Sequence, residues 1–174
     1  VPFLGFSGES VSSSTIASYY PGDTRLSTTP QSYMKVEMVG MRSSSGGDFS
    51  LYAIASGNPR VWMASSDGIG STDNIWIRTG SHTHYNTAFS KPGIYEVDVV
   101  VSGYLDSNGN GTYDPIIDTY VESGIKTMVF NVDTLGAVDD AYTIDGQQAL
   151  RGSVSLNDKW HVGIGAYTAS VQTT

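Results

Sequence analysis

The feature that most constrains this chain is a two-residue alternation of apolar and polar side chains, interrupted by Gly, Asn, Asp, Ser or Pro at intervals of roughly 8–12 residues. In an extended strand successive side chains point to opposite faces, so such a pattern fits strands with one buried face and one wet face. Met34, Val36 and Met38 alternate with Lys35 and Glu37. Phe49, Leu51 and Ala53 alternate with Ser50 and Tyr52, and Tyr95, Val97, Val99 and Val101 alternate with polar neighbours that include Glu96 and Asp98. Met128, Phe130 and Val132 share one side of a further strand over residues 126–132. Residues 60–64 and 74–78 are short apolar runs separated by the turn-rich Ser65-Ser66-Asp67-Gly68. No stretch holds a 3.6-residue apolar period for about ten residues, and Gly146 with its β-branched neighbours argues against a helix over residues 139–150. The expected fold is all-β, an antiparallel β-sandwich of Ig-like or jelly-roll-like type with little or no helix.

With 174 residues, 39% of them hydrophobic and none of them Cys, the chain can bury a core without disulfide staples. The absence of Cys also removes thiolate zinc sites and cysteine nucleophiles. Residues 133–140 (Asp-Thr-Leu-Gly-Ala-Val-Asp-Asp) read as a junction. The expected division is a sandwich over residues 1–135 and, over 136–174, a partial second β module or a tail that adds strands. An incomplete sheet leaves edges that a neighbouring copy or another envelope protein can complete by strand addition. Seventeen acidic residues against nine basic ones give a net charge of −8. That balance excludes the basic footprint a nucleic-acid binder needs, and it disfavours an anionic membrane surface. No apolar window is long enough to make a membrane span in this chain. Val1 is not a start residue and no leader precedes it, which reads as a mature piece of a longer protein anchored elsewhere.

Residues 106–114 place oxygen-bearing side chains at relative positions 1, 3, 5 and 9 (Asp106, Asn108, Asn110, Asp114), with Gly111 at position 6. A hard cation requires several oxygens converging on one point, and this spacing wraps a loop around Ca2+. The backbone carbonyl of Thr112 is a further expected ligand. Position 12 is Ile117 where a bidentate Glu is expected, and Asp118, one residue on, substitutes if Pro115 reshapes the loop. The competing reading is an Asn-Gly hairpin turn. Asn110-Gly111-Thr112 also matches a glycosylation sequon.

His82-Thr83-His84 puts two imidazoles on one strand face, within reach of a single Zn2+ or other transition metal. A third ligand must come from elsewhere, and His161 is the only other histidine; Asp67 and Asp73 are oxygen alternatives. The competing reading is cross-strand hydrogen bonding. Hydrolytic chemistry finds no Gly-x-Ser-x-Gly elbow, and Glu96 with Asp98, spaced like a glycosidase pair, reads as a solvated strand face. The chain is therefore not expected to be an enzyme. Trp62, Trp76 and Trp160 raise a carbohydrate-stacking platform as a lesser alternative.

The stretches Phe49-Ser-Leu-Tyr-Ala, Pro59-Arg-Val-Trp-Met-Ala-Ser-Ser-Asp67-Gly68 and Thr79-Gly-Ser-His82-Thr-His84-Tyr-Asn86-Thr-Ala-Phe89-Ser-Lys-Pro92-Gly93-Ile-Tyr95 resemble the surface-anchored domain of actinobacterial cell-wall, choice-of-anchor M and PEP-CTERM-type proteins. That pattern runs Gly-x-His-x-His-x-Asn-(Trp)-x-Phe-(Thr)-x-Pro-Gly-x-Tyr, and here Thr87 stands in place of the usual Trp. Pro2-Phe3-Leu4-Gly5 also fits its opening, and the likeness covers residues 1–105. It implies export to the bacterial envelope and a metal role for His82 and His84. Residues 137–158 resemble the start of a cadherin-like or VCBS-type adhesin repeat, which implies calcium near Asp139, Asp140 and Asp158. The resulting expectation is a non-enzymatic extracellular or cell-surface binding module. Its rivals are a stalk or filament subunit that assembles through its C-terminal strands, and a carbohydrate-binding module.

Overall fold

The computed structural model describes residues 3–132 and four short strands beyond them. In chain order the strands are β1 (Phe3–Ser7), β2 (Tyr33–Ser43), β3 (Phe49–Ala55), β4 (Asn58–Ala64), β5 (Asn74–Arg78), β6 (His82–Phe89) and β7 (Gly93–Leu105), then β8 (Thr119–Glu122) and β9 (Lys126–Val132). The later four are β10 (Thr143–Ile144), β11 (Gln147–Gln148), β12 (Lys159–Gly163) and β13 (Val171–Gln172). Among the described residues there is no helix. One sheet runs β13-β12-β1-β6-β3-β4, and the other runs β5-β2-β7-β8 with β9 also paired to β7. The two pack face to face as a β-sandwich, as the alternation requires. β10 and β11 form a small antiparallel ladder of their own, so that part of 139–150 is extended. The junction at 133–140 and the candidates Asp139, Asp140 and Asp158 lie outside the described residues.

The strands that carry the alternation bury the residues it marks. Leu4 and Phe6 on β1, Val36 and Met38 on β2, Phe49 and Leu51 on β3, Ile75 and Ile77 on β5, and Val97 and Val99 on β7 form one continuous core. Burying an aliphatic or aromatic side chain of this size stabilises by about 1.5–3 kcal/mol. Aromatic rings join the sheets: Phe49 stacks on Phe130 of the opposite sheet at 5.8 Å, and Phe89 lies 4.8 Å from Tyr95. The fully buried Tyr95 keeps its hydroxyl satisfied by donating to the Lys91 carbonyl at 2.7 Å and accepting from the Lys91 N–H at 3.2 Å.

Two strands escape the alternation pattern. β1 reads Phe-Leu-Gly-Phe-Ser, with no charge on its outer face, and β8 is four residues long and mostly exposed. In β2 the pattern breaks at a bulge between Met38 and Gly40, which turns Val39 outward.

Two substitutions probe the packing. A Cβ on Gly47 would lie 2.0 Å from the Tyr95 hydroxyl and 3.0 Å from Lys91 Cβ. Gly47→Ala is therefore expected to destabilise by about 1–3 kcal/mol, read as a lower urea midpoint at constant slope. Thr87 is buried opposite Leu51, and among the described residues its hydroxyl has no hydrogen-bond partner. Thr87→Val is expected to raise the same midpoint by about 1 kcal/mol equivalent.

Candidate functional site

β6 has two faces with different duties. Tyr85 and Thr87 are buried in the core, so His82, His84 and Asn86 stand on the outer face of the sheet. The two imidazoles lie with ring centroids 5.2 Å apart at 87°. His82 Nδ1 is 2.8 Å from Glu9 Oε1, and the Ser7 hydroxyl donates to Glu9 Oε2 at 2.9 Å. A carboxylate bonded to one imidazole nitrogen fixes the orientation of the ring, as carboxylates also do behind metal-ligating histidines. Glu9 was not foreseen from sequence because the turn after β1 carries no periodic signal.

The remaining histidine enters through the backbone register. Gly5 of β1 pairs with His84 on one side and with His161 of β12 on the other. The backbone register thus aligns His84, Gly5 and His161 across three strands, with glycine at the middle position. The outer two Cα positions are two strand spacings apart, about 9.6 Å. Asp67 and Asp73 are not part of this patch. Asp73 is buried and accepts hydrogen bonds from the N–H groups of Ala64 and Gly70, which closes the β4–β5 connection. Among the described residues no three His, Asp or Glu side chains converge on their own as a metal-binding group.

The loop between β7 and β8 is closed by its own carboxylates. Asp106 accepts from the N–H groups of Asn110 at 3.1 Å and Gly111 at 2.7 Å. Asn108 accepts from Asn110 N–H, Asn110 from Thr112 N–H, and Asp114 from Ile116 N–H. Gly109 and Gly111 adopt φ of 71° and 77°, the left-handed region that the tight wrap demands. Asp118 folds back across the loop: its oxygens accept from Ser107 N–H at 2.9 Å and Asp114 N–H at 2.7 Å. The turn over residues 114–118 places Ile117 outward and Asp118 inward, bringing Asp118 to the loop that Ile117 cannot serve. A carboxylate oxygen that accepts one N–H retains a lone pair for a cation. The root of the loop is stiff. Tyr113 packs on Tyr104 at 4.3 Å, and Tyr104 also meets Tyr19 and Tyr120. The segment beneath contributes Ser18, which bonds to Gly111 and Tyr113 through the backbone.

The other chemistry-bearing residues are held in structural contacts. Arg42 bridges Glu96, at 2.7 Å, and Asp98 on the outer face of the second sheet. The Arg42 hydrogen bond, opposed by burial and joined by one from Thr127, holds the Asp98 carboxyl below its ordinary range. Trp62 is buried with the Arg25 guanidinium 4.4 Å above its ring, and Trp76 donates to Asp23 at 3.0 Å. Burial would raise the Asp23 carboxyl, but hydrogen bonds from Arg25 and Trp76 outweigh it and lower it. No family model, no curated protein and no solved structure matches this chain.

The two depressed carboxyls set an acid limb. Their folded-state values lie below the unfolded ones, so their stabilisation is complete above the unfolded value near pH 4 and disappears as pH falls through the folded value. Urea midpoints are expected to be flat from pH 7 to about 5 and to fall below about pH 4. Asp98→Asn should lower the midpoint at neutral pH and flatten the acid limb.

Proposed function

We propose that this chain is a non-enzymatic module of an exported bacterial cell-surface protein, and that it binds metal ions on one face and in one loop. The observation that supports the reading is the backbone register that aligns His84 and His161 on either side of Gly5, with His82 two residues from His84 on the same strand and bonded to Glu9. Imidazole nitrogens suit a borderline ion such as Zn2+, and His82, His84 and His161 are the three ligands proposed of the four that zinc favours. The chemistry proposed is retention of a cation. The likeness of residues 1–105 to surface-anchored domains supports the envelope location.

A second cation is favoured by a separate observation, the return of Asp118 onto the loop begun by Asp106. The oxygens of Asp106, Asn108, Asn110, Asp114, Asp118 and the Thr112 carbonyl are the donors proposed for Ca2+, which the ion would have to draw together because the carboxylates do not converge without it, with affinity expected in the range of extracellular modules, about 10⁻⁴–10⁻³ M.

Thermal melts after chelation, then with Zn2+ or Ca2+ added, separate the two sites. Each ion at about 100 times its dissociation constant should add about 2.7 kcal/mol of stability. His84→Asn should remove the zinc shift and leave the calcium shift, and Asp118→Ala should do the reverse. A midpoint unmoved by either ion removes both sites.

A further inference from the structure

We propose that Asn108 is a site of spontaneous chemical modification, deamidation through a cyclic imide, and that Asp106 holds the matching Asn110-Gly111 pair of the same loop unreactive.

The chemistry joins a side-chain amide carbon to the backbone nitrogen of the next residue, and the two must be free to meet. Glycine as the next residue supplies that freedom, because no Cβ crowds the attacking nitrogen or restricts the backbone. The loop between β7 and β8 contains such a pair twice in succession, Asn108-Gly109 and Asn110-Gly111. Their electrophiles are matched. Asn108 Oδ1 accepts the Asn110 N–H at 3.0 Å, and Asn110 Oδ1 accepts the Thr112 N–H at 2.7 Å. Each bond polarises its amide carbonyl and stabilises negative charge that develops on the oxygen.

The nucleophiles differ. Gly111 N–H donates to Asp106 Oδ2 at 2.7 Å, and the Gly111 carbonyl accepts from Ser18 N–H at 3.1 Å. Gly111 is half-buried, and its nitrogen is committed to a charged acceptor, the stronger class of hydrogen bond. Among the described residues no group accepts from Gly109 N–H. Asn108 and Gly109 are exposed, and a Cβ at Gly109 would meet nothing within 4 Å, so the attack has room.

In the reaction the Gly109 nitrogen gives its proton to hydroxide, and its electron pair attacks Asn108 Cγ. The bond from Cγ to the side-chain nitrogen breaks, and that nitrogen leaves as ammonia with a proton taken from water. Water then opens the ring. Attack at Cγ leaves aspartate on an unaltered backbone, whereas attack at the Asn108 carbonyl carbon leaves isoaspartate, whose chain runs through Cβ and Cγ. One water is consumed and one ammonia released, and nothing is oxidised or reduced. The aspartate product sets a carboxylate at the third position of the loop, a stronger donor to a hard cation than the amide it replaces. That consequence rests on the calcium reading; the modification does not.

The full-length protein is aged at mildly alkaline pH with a chelator present, so that the outcome is independent of any bound cation. Peptides spanning the loop are mapped over time by tandem mass spectrometry, with a sample unfolded in urea as the reference. Deamidation adds about 1 Da to the residue concerned. In the folded protein the gain is expected at Asn108, with Asn110 slower by about 10–100-fold, the factor that a hydrogen bond to a charged acceptor contributes. In urea the two positions should react at similar rates. Asp106→Ala should bring Asn110 up towards its urea rate, and Asp106→Asn, which keeps a neutral acceptor, should give a rate between the two. Similar rates at Asn108 and Asn110 in the folded protein overturn the proposal, as does an Asn108 that stays intact while the unfolded chain reacts. An Asn110 that reacts no more slowly in Asp106→Asn than in Asp106→Ala overturns the role given to Asp106.

Discussion

The structure depends on the burial of one face of β6 against the opposite sheet. Tyr85 and Thr87 are locked inward by the core, with Tyr85 edge-on to Phe6 and to Trp62 at 6.0 and 5.7 Å. Because the side-chain period of a strand is two, a slip of one residue would bury both histidines and expose both core residues. The position of His82 and His84 on the outer face is therefore a consequence of packing on the other side of the same strand. The partner strand β1 is fixed by the same logic: Leu4 and Phe6 go in, and Gly5 is left on the outer row between His84 and the β12 position.

Much of this fold is legible in the sequence because its interior strands obey that period. Met34 to Met38, Phe49 to Ala53, Tyr95 to Val101 and Met128 to Val132 all lie in strands where the alternation places them, and the Ser65–Gly68 turn separates β4 from β5. β1 and β8 were not legible. One has apolar or small residues on both faces, and the other is too short and too exposed to show a pattern. The histidine pair was visible from its spacing, but Glu9 and the Gly5 row were not. They come from segments 70 or more residues away in sequence, brought to the histidines by the pairing of β1 with its neighbours. In the loop, Ile117 at the twelfth position looked like a defect. The turn at residues 114–118 shows how Asp118 reaches across instead, through bonds to Ser107 and Asp114 that no spacing rule contains.

The remaining charged and aromatic residues serve the scaffold. Gly40 sits opposite Asp98, where an added Cβ would come within 3.2 Å of the carboxylate, and this leaves room for the Arg42–Asp98–Thr127 contacts. A buried carboxylate needs such partners, since without them its ionised form is strongly disfavoured. The tyrosines around Tyr104 do the same for the loop. Burial, reinforced by its tyrosine neighbours, pushes the Tyr19 hydroxyl well above its ordinary value, so it stays a neutral packing ring. A rigid root of this kind holds the oxygen-rich loop in shape.

The central claim is that the outer face of β1, β6 and β12 assembles imidazoles around one ion. X-ray absorption at the zinc edge on the zinc-loaded full chain tests it most directly. The account predicts a first shell dominated by imidazole nitrogen at about 2.0–2.1 Å, with two or three such ligands and the remainder oxygen. A shell of oxygen alone, or zinc lost entirely on dialysis, would contradict it.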